Sequence, residues 1–453
     1  MEKIHNFTEG KILGPLLKFA SPIFLALFLQ AMYGAADLLI VGQFAQTADV
    51  SAVSTGSLIM QSLTVTFASL SMGVTILLGQ KIGEKKVEEA GKAIGSAIVL
   101  FSIIAVVFTA VFVAGARPIS QIMKAPADAM EQTVSYLAIC SGGIIFIVAF
   151  NTLSAVFKGL GDSKVPLITV AIACVVNIFL DLLLVAKLGM GAAGAAYATV
   201  TAQAVSVIVS LVIIIVRKVD IPFTVKNIRW NKLYISRILK FGVPVALQDL
   251  LVSISFLVIT AIINSIGLEQ SAGVGVAEKV CVFLMLIPSA YMQSLSAFVA
   301  QNIGANKIKR ARKALLYAVC TSLPVVIIMA YLAIFHGSLL ASVFDNDATV
   351  VQMAADYLKA YGIDCLLTAE LFCLNGYYSG MGKTKFVMIQ GIIGAFCVRI
   401  PVSYFVSKIP GATLFHIGLA TPASTVLQLI ICGVFFVYLL KKEKKNSMLP
   451  ASL

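Results

Sequence analysis

Apolar residues in this chain run almost unbroken for about twenty positions at a time, and such runs recur from end to end. A helix of that length crosses a hydrocarbon core about 30 Å thick. The runs predict spans at about 15–41, 51–77, 94–115, 133–156, 165–185, 194–216, 241–264, 273–299, 315–335, 353–378, 386–406 and 417–440. The first run follows the polar stretch Met1 to Lys18 and shows no small-residue cleavage site. It is therefore expected to stay as the first span rather than leave as a signal peptide.

The polar connections differ little in length but strongly in charge. With the N-terminus inside, the inner segments carry 27 of the 34 Lys and Arg residues. The outer segments carry only Arg117, Lys124, Lys187 and Lys408, and Lys279, Lys359 and Arg399 fall within spans. The positive-inside rule then places both termini in the cytoplasm, in a multi-pass protein of the inner (plasma) membrane. Composition agrees: 59% of the 453 residues are hydrophobic and 12% charged, too little charge to cover a soluble domain. The net charge of +13 reads as anchors facing an anionic leaflet. No nucleic-acid role is expected.

The chain repeats itself. Residues 80–93, starting Gln80-Lys-Ile-Gly83, match residues 301–314, starting Gln301-Asn-Ile-Gly304, at seven of fourteen positions with an offset of 221. The same offset aligns Gly159, Gly161 and Lys164 with Gly380, Gly382 and Lys385. Leu17 to Pro22 matches Leu239 to Pro244 at an offset of 222. Each half holds six spans, so both start on the same side and the repeat is parallel, an arrangement transporters use to rock two lobes about an axis along the membrane normal. The expected fold is thus an all-α membrane protein of about twelve transmembrane helices in two parallel-repeat six-helix bundles. Its divisions are an N-lobe (1–220), a basic cytoplasmic linker (221–240) and a C-lobe (241–453).

Little of this resembles catalytic chemistry. The glycines of the repeat serve tight turns and lack the Lys-Ser/Thr of a phosphate loop, so ATP is not the expected energy source. The eight cysteines lie within apolar runs without a CxxC pair and are expected to be small buried hydrophobes. His5, His336 and His416 are scattered. No nucleophile–base or metal constellation is visible, and no cofactor is expected.

Intramembrane carboxylates are costly and so mark function. Asp37 and Asp181 are the two clear cases in the first half, each about 9 Å below the outer end of its predicted helix. Asn177 precedes Asp181 by four residues and shares its helical face. Thr199 lies at a similar level, and Tyr136 near the outer start of the fourth span. Two carboxylates, an amide and hydroxyls at one depth can take a proton or hold a small hard cation. At offset 221 the second half has Val258, Val398 and Val402 in place of Asp37, Asn177 and Asp181, so the cluster belongs to the first half alone. Pro22, about fifteen residues below Asp37, is either a hinge or a static kink. The second half offers Glu278 beside Lys279, then Asp364, Glu370 and Arg399. Glu278 and Lys279 read as a snorkelling pair. Glu278, Glu370 and Arg399 are candidates for a substrate cavity.

These residues together resemble the multidrug and toxic compound extrusion (MATE) family. The likeness is carried by Pro22 with Ala36, Asp37 and Gly42, by Gly159 to Ser163, by Asn177 to Asp181 with Gly189 to Gly191, and by Gln301 to Gly304. It is nearest to the bacterial branch with its ion site in the N-lobe. The resemblance implies a monomeric secondary antiporter that exports small, mostly cationic organic compounds in exchange for Na+ or H+. It implies that Asp37, Asn177, Asp181 and Thr199 form the ion site, holding Na+ if sodium couples, with Tyr136 and Asn151 in the surrounding network. Membrane lipids are the only other expected partners. A lipid-linked precursor flippase and, from another class, a channel or sensory membrane protein are the alternatives.

Overall fold

The computed structural model of the protein describes residues 6–217 and 223–448. His5, Lys218, residues 221–222 of the expected linker and residues 449–453 of the expected C-lobe lie outside the described residues. Every regular element among the described residues is helical. The first half runs α1 (Leu13–Phe44), α2 (Thr47–Gly83), α3 (Val87–Ala114), the short α4 (Ala116–Ile122), α5 (Met130–Gly142), α6 (Ile144–Gly159), α7 (Lys164–Asp181) and α8 (Gly191–Arg217). The second runs α9 (Lys232–Asn264), α10 (Leu268–Leu284), α11 (Leu286–Gly304), α12 (Ile308–Phe335), the short α13 (Gly337–Ala341), α14 (Ala348–Gly380), α15 (Thr384–Ile392), α16 (Ile400–Ser407), the short α17 (Leu414–Gly418) and α18 (Ala420–Met448). α9 starts inside the stretch expected as linker.

Among the described residues ten continuous helical stretches are long and apolar enough to cross a membrane, and α5 with α6, bent by 45° at their junction, makes an eleventh when the pair is counted as one span. The run expected as one straight span at 133–156 is therefore broken. The break falls at Gly142 and Gly143, whose backbone freedom weakens a helix. α8 passes close there: a Cβ on Gly143 would lie 2.5 Å from a methyl of Val200. α14 is the remaining long helix, with 33 residues. Asp356, Lys359, Asp364 and Glu370 are spread along its length and interrupt its apolar run. π-helical turns at Leu182–Lys187 and Ile393–Arg399 interrupt two further stretches, one starting right after Asp181 and one ending on Arg399.

The chain forms two compact units. The first comprises Met1–Asp249, Gln293–Ala314 and Ser379–Thr384. In it α7 packs on α1 and α8, and α2 packs on α5 and α6. Small residues permit the close approach of α8, where Ala195, Ala196 and Ala198 are fully buried. The second unit comprises Leu250–Met292, Leu315–Tyr378 and Lys385–Leu453, with a core that includes Ile263, Val274, Tyr357 and Leu358.

Within the first unit the two matching sequence motifs meet. A Cβ on Gly83 would lie 1.9 Å from the Gln301 carbonyl oxygen, and one on Gly304 would lie 2.0 Å from the Gln80 carbonyl oxygen. The crossing is reciprocal, and only glycine fits on either side. The turns that follow also repeat. Lys85 and Asn306 both adopt left-handed φ, at 60° and 57°, and so do Gly161 and Gly382, at 84° and 74°. Each of these pairs differs by 221 residues.

Of the eight cysteines, all free, Cys320 and Cys397 are exposed rather than buried. Their helices are apolar on all sides, and an apolar run does not by itself say which face points inward.

Replacing Gly83 by valine should cost about 1–3 kcal/mol through overpacking, since the obstacle is backbone and cannot rotate away. Gly142→Ala, at a position with nothing within 4 Å, should leave stability unchanged. Thermal melting of the two purified variants in detergent checks both outcomes.

Candidate ion-binding site

Three helices of the first unit bring the first-half polar residues together. Asp37 comes from α1, Asn177 and Asp181 from α7, and Thr199 from α8. Asp37 is 5% exposed, and Asn177 and Asp181 are fully buried. Thr199 Oγ1 donates to Asp37 Oδ2 at 3.1 Å. The side chains of Asp181 and Asn177 also reach the Asp37 carboxyl group. The four residues expected to form one constellation therefore do lie together. Tyr136 of α5 is buried beside them, its hydroxyl 3.2 Å from Ser57 Oγ of α2. Its ring fills the space left by Gly56, where a Cβ would lie 2.3 Å from it. Asn151 is buried in α6, but its amide donates to the Ile147 carbonyl of its own helix at 2.9 Å.

Hydrogen bonding in this cluster is incomplete. Asp37 Oδ1, both carboxyl oxygens of Asp181, and Oδ1 and Nδ2 of Asn177 are buried without a partner. Buried polar atoms are nearly always paired, so such a concentration of bare oxygens points to a ligand. A proton would satisfy one oxygen. A small hard cation would satisfy several at once, since carboxylate, amide and hydroxyl oxygens are the donors it takes. Among the described residues there is no group of three or more His, Cys, Asp or Glu able to hold a metal. Two carboxylates, an amide and a hydroxyl offer oxygen donors alone, which suit a proton or a hard cation better than a soft transition metal.

Two nearby residues escaped the sequence reading. Tyr33 precedes Asp37 by one turn on α1, and Gln203 follows Thr199 by one turn on α8. Gln203 Nε2 donates to Tyr33 Oη at 3.3 Å. A third omission is Asp249 of α9, whose carboxylate accepts a hydrogen bond from Ser69 of α2.

The second unit holds a separate polar cluster. Asp364 of α14 accepts from Thr368 at 2.9 Å and from Thr425 at 2.6 Å. The charge of Arg399 acts on Asp364. Its guanidinium lies 4.4 Å above the Phe256 ring and donates to Ser255 at 3.3 Å. Glu278 accepts from Thr260 at 3.1 Å, while Lys279 is exposed, so they are not the expected pair. The reason is the helix: adjacent residues point about 100° apart, which turns Glu278 toward α9. Glu370 is half-buried in α14, six residues past Asp364 and on another face. Pro22 is buried inside an uninterrupted α1.

Comparison with known proteins follows the same division. The MatE family profile matches twice, over residues 22–183 and again over 244–405. A curated relative, "Probable multidrug resistance protein YpnP" of Bacillus subtilis (strain 168), is 26% identical over 437 residues, which is 96% of this chain and 97% of its own length. "Multidrug export protein MepA" of Staphylococcus aureus (strain MSSA476) is 23% identical, covering 91% of each chain. A solved structure described as "Outward-facing conformation of a multidrug resistance MATE family transporter of the MOP superfamily" superposes with a TM-score of 0.91 at 18% identity, over 98% of this chain and 100% of that one.

Thr199→Val removes a hydroxyl from the cluster while keeping its volume. One lost hydrogen bond to a charged group is worth about 1.5–3 kcal/mol, so cation affinity should fall by about tenfold or more. Titration of the purified variant with the cation that the wild-type protein binds checks this.

Proposed function

The chain belongs to the MatE family of multidrug efflux transporters, and from that premise we propose that it is a secondary antiporter exporting small, mostly cationic organic compounds in exchange for Na+ or H+. The observation that carries the reading is the buried pair Asp37 and Asp181, with three carboxyl oxygens that no protein donor satisfies. Two carboxylates removed from water need compensating positive charge. No Lys, Arg or His approaches Asp37 among the groups that act on it. A cation that can enter and leave is the remaining source of that charge.

In this account the cation binds from outside to Asp37, Asp181, Asn177 and Thr199. Binding draws α1 toward α7 and α8, because the ligands come from all three. Pro22, about 22 Å below Asp37 along α1, is the position at which the helix can bend, since proline removes one backbone hydrogen bond there. The cation-loaded form has the lower affinity for drug, which is then released outward. Antiport requires only that ion and drug favour opposite states of one equilibrium. Tyr136 and Asn151 brace the site. Glu278, Glu370 and Arg399 are candidates for contact with substrate, and the two acids suit a cationic one. The protein would work as a monomer in the inner membrane, surrounded by lipid, with both termini in the cytoplasm.

Uptake of a fluorescent organic cation into everted membrane vesicles tests the reading. Wild-type transport should stop when the coupling gradient, Na+ or H+, is collapsed. Asp37→Asn should fall to the background of empty vesicles while remaining monodisperse in detergent. Wild-type rates in that variant would remove the N-lobe site from the mechanism.

A further inference from the structure

α1 and α8 meet at a second rung directly inward of Asp37. The first rung is Thr199 Oγ1 donating to Asp37 Oδ2 at 3.1 Å, and the second is Gln203 Nε2 donating to Tyr33 Oη at 3.3 Å. Tyr33 is four residues before Asp37, and Gln203 is four after Thr199, so the rungs are one helical turn apart, about 6 Å. Gln203 is 8% exposed. Its amide nitrogen is committed to Tyr33, but its carbonyl oxygen is buried with no partner.

That bare oxygen changes the chemistry of the neighbourhood. The unpartnered atoms around Asp37 are Oδ1 of Asp37, both oxygens of Asp181, Oδ1 of Asn177 and Oε1 of Gln203, all acceptors, with Asn177 Nδ2 and the hydroxyl hydrogen of Tyr33, which only accepts from Gln203, as the donors at hand. Acceptors cannot satisfy one another, and two donor groups cannot serve five oxygens fully. A proton placed on a carboxylate supplies one O–H donor, which serves one of these oxygens and leaves the others bare. A dehydrated metal cation bonds to carboxylate and amide oxygens alike. The number of bare oxygens, carboxylate and amide together, therefore favours a metal cation over a single proton.

We propose that Gln203 is a specificity-determining residue of this transporter: its side-chain oxygen ligates Na+ on the inner side of Asp37, held in place by Tyr33, and makes the first-unit site a sodium site. The inference rests on the cation-site reading above but goes further, since that reading holds for either ion. Gln203 would be a direct ligand, and Tyr33 a positioning residue that fixes the amide so that its oxygen faces the ion.

Calorimetric titration of the purified full-length protein with NaCl, at pH 8 and with choline chloride holding ionic strength constant, separates the two claims. The wild-type protein should bind Na+, and Asp37→Asn should not. Gln203→Met keeps side-chain length but removes the oxygen, and should weaken Na+ binding tenfold or more. Gln203→Glu retains an oxygen ligand and adds charge, and should bind Na+ at least threefold more tightly than wild type. If Gln203→Met does not fold, the Gln203→Glu result decides alone. Unchanged Na+ affinity in both Gln203 variants, beside an inactive Asp37→Asn, would overturn the role of Gln203 and leave the site standing. No Na+ binding by the wild type, beside a carboxyl group that takes up and releases a proton near neutral pH, would overturn the sodium assignment. Na+ binding by Asp37→Asn at wild-type affinity would overturn the cation site itself, and the inference with it.

Discussion

Charge removed from water must be compensated where it lies, and this requirement organises the first half of the molecule. Asp37 and Asp181 are held by helices far apart in sequence and buried at one level, with oxygens that no protein donor satisfies. A protein selected only for stability would place apolar residues there, because well-packed hydrophobic groups are usually at least as stable as a buried ionic cluster. Repeat-related positions in the second half do hold valine, at 258, 398 and 402. The cluster is therefore a local departure from what packing alone favours. Such departures locate function.

The second half handles the same constraint differently. Asp364 is satisfied by two threonines and lies in the field of Arg399, which is itself stacked on Phe256. Here the positive charge is built into the chain. Asp37 has no such tethered partner, and on the proposed reading that difference separates a fixed polar cluster from one that takes a mobile ion. The shared backbone matters as well. Gly83 and Gly304 cross in a reciprocal contact, and the left-handed residues Lys85 and Asn306 terminate both helices in the same way. Two sequence-related halves thus keep one turn geometry while their polar chemistry has diverged.

Much of this was legible in the sequence because lipid leaves a chain few options. The runs at 15–41, 51–77 and 94–115 correspond to α1, α2 and α3, and the depth of Asp37, Asp181 and Thr199 followed from counting residues along helices. The bend at Gly143 was not legible. Hydropathy sees an apolar run and is blind to the approach of Val200 that fills the break. Glu278 was paired with its sequence neighbour, but side chains on a helix meet at three or four residues' spacing, and Thr260 on α9 is its partner. Gln203 and Tyr33 carried a usable signal, since each lies one turn from a residue already identified. Asp249 was visible as an aspartate within the run 241–264. At offset 221 it stands opposite Phe28, so the repeat does not mark it.

The central claim is that drug and coupling cation exclude one another through the Asp37 and Asp181 site. Its most direct test is displacement at equilibrium on the wild-type protein in nanodiscs, with 22Na+ retention and proton uptake or release followed together as a transported organic cation is added. The account predicts that saturating drug expels the bound ion, one per chain, as lost 22Na+ or as released protons. A protein that keeps its ion at full occupancy while saturated with drug would contradict it.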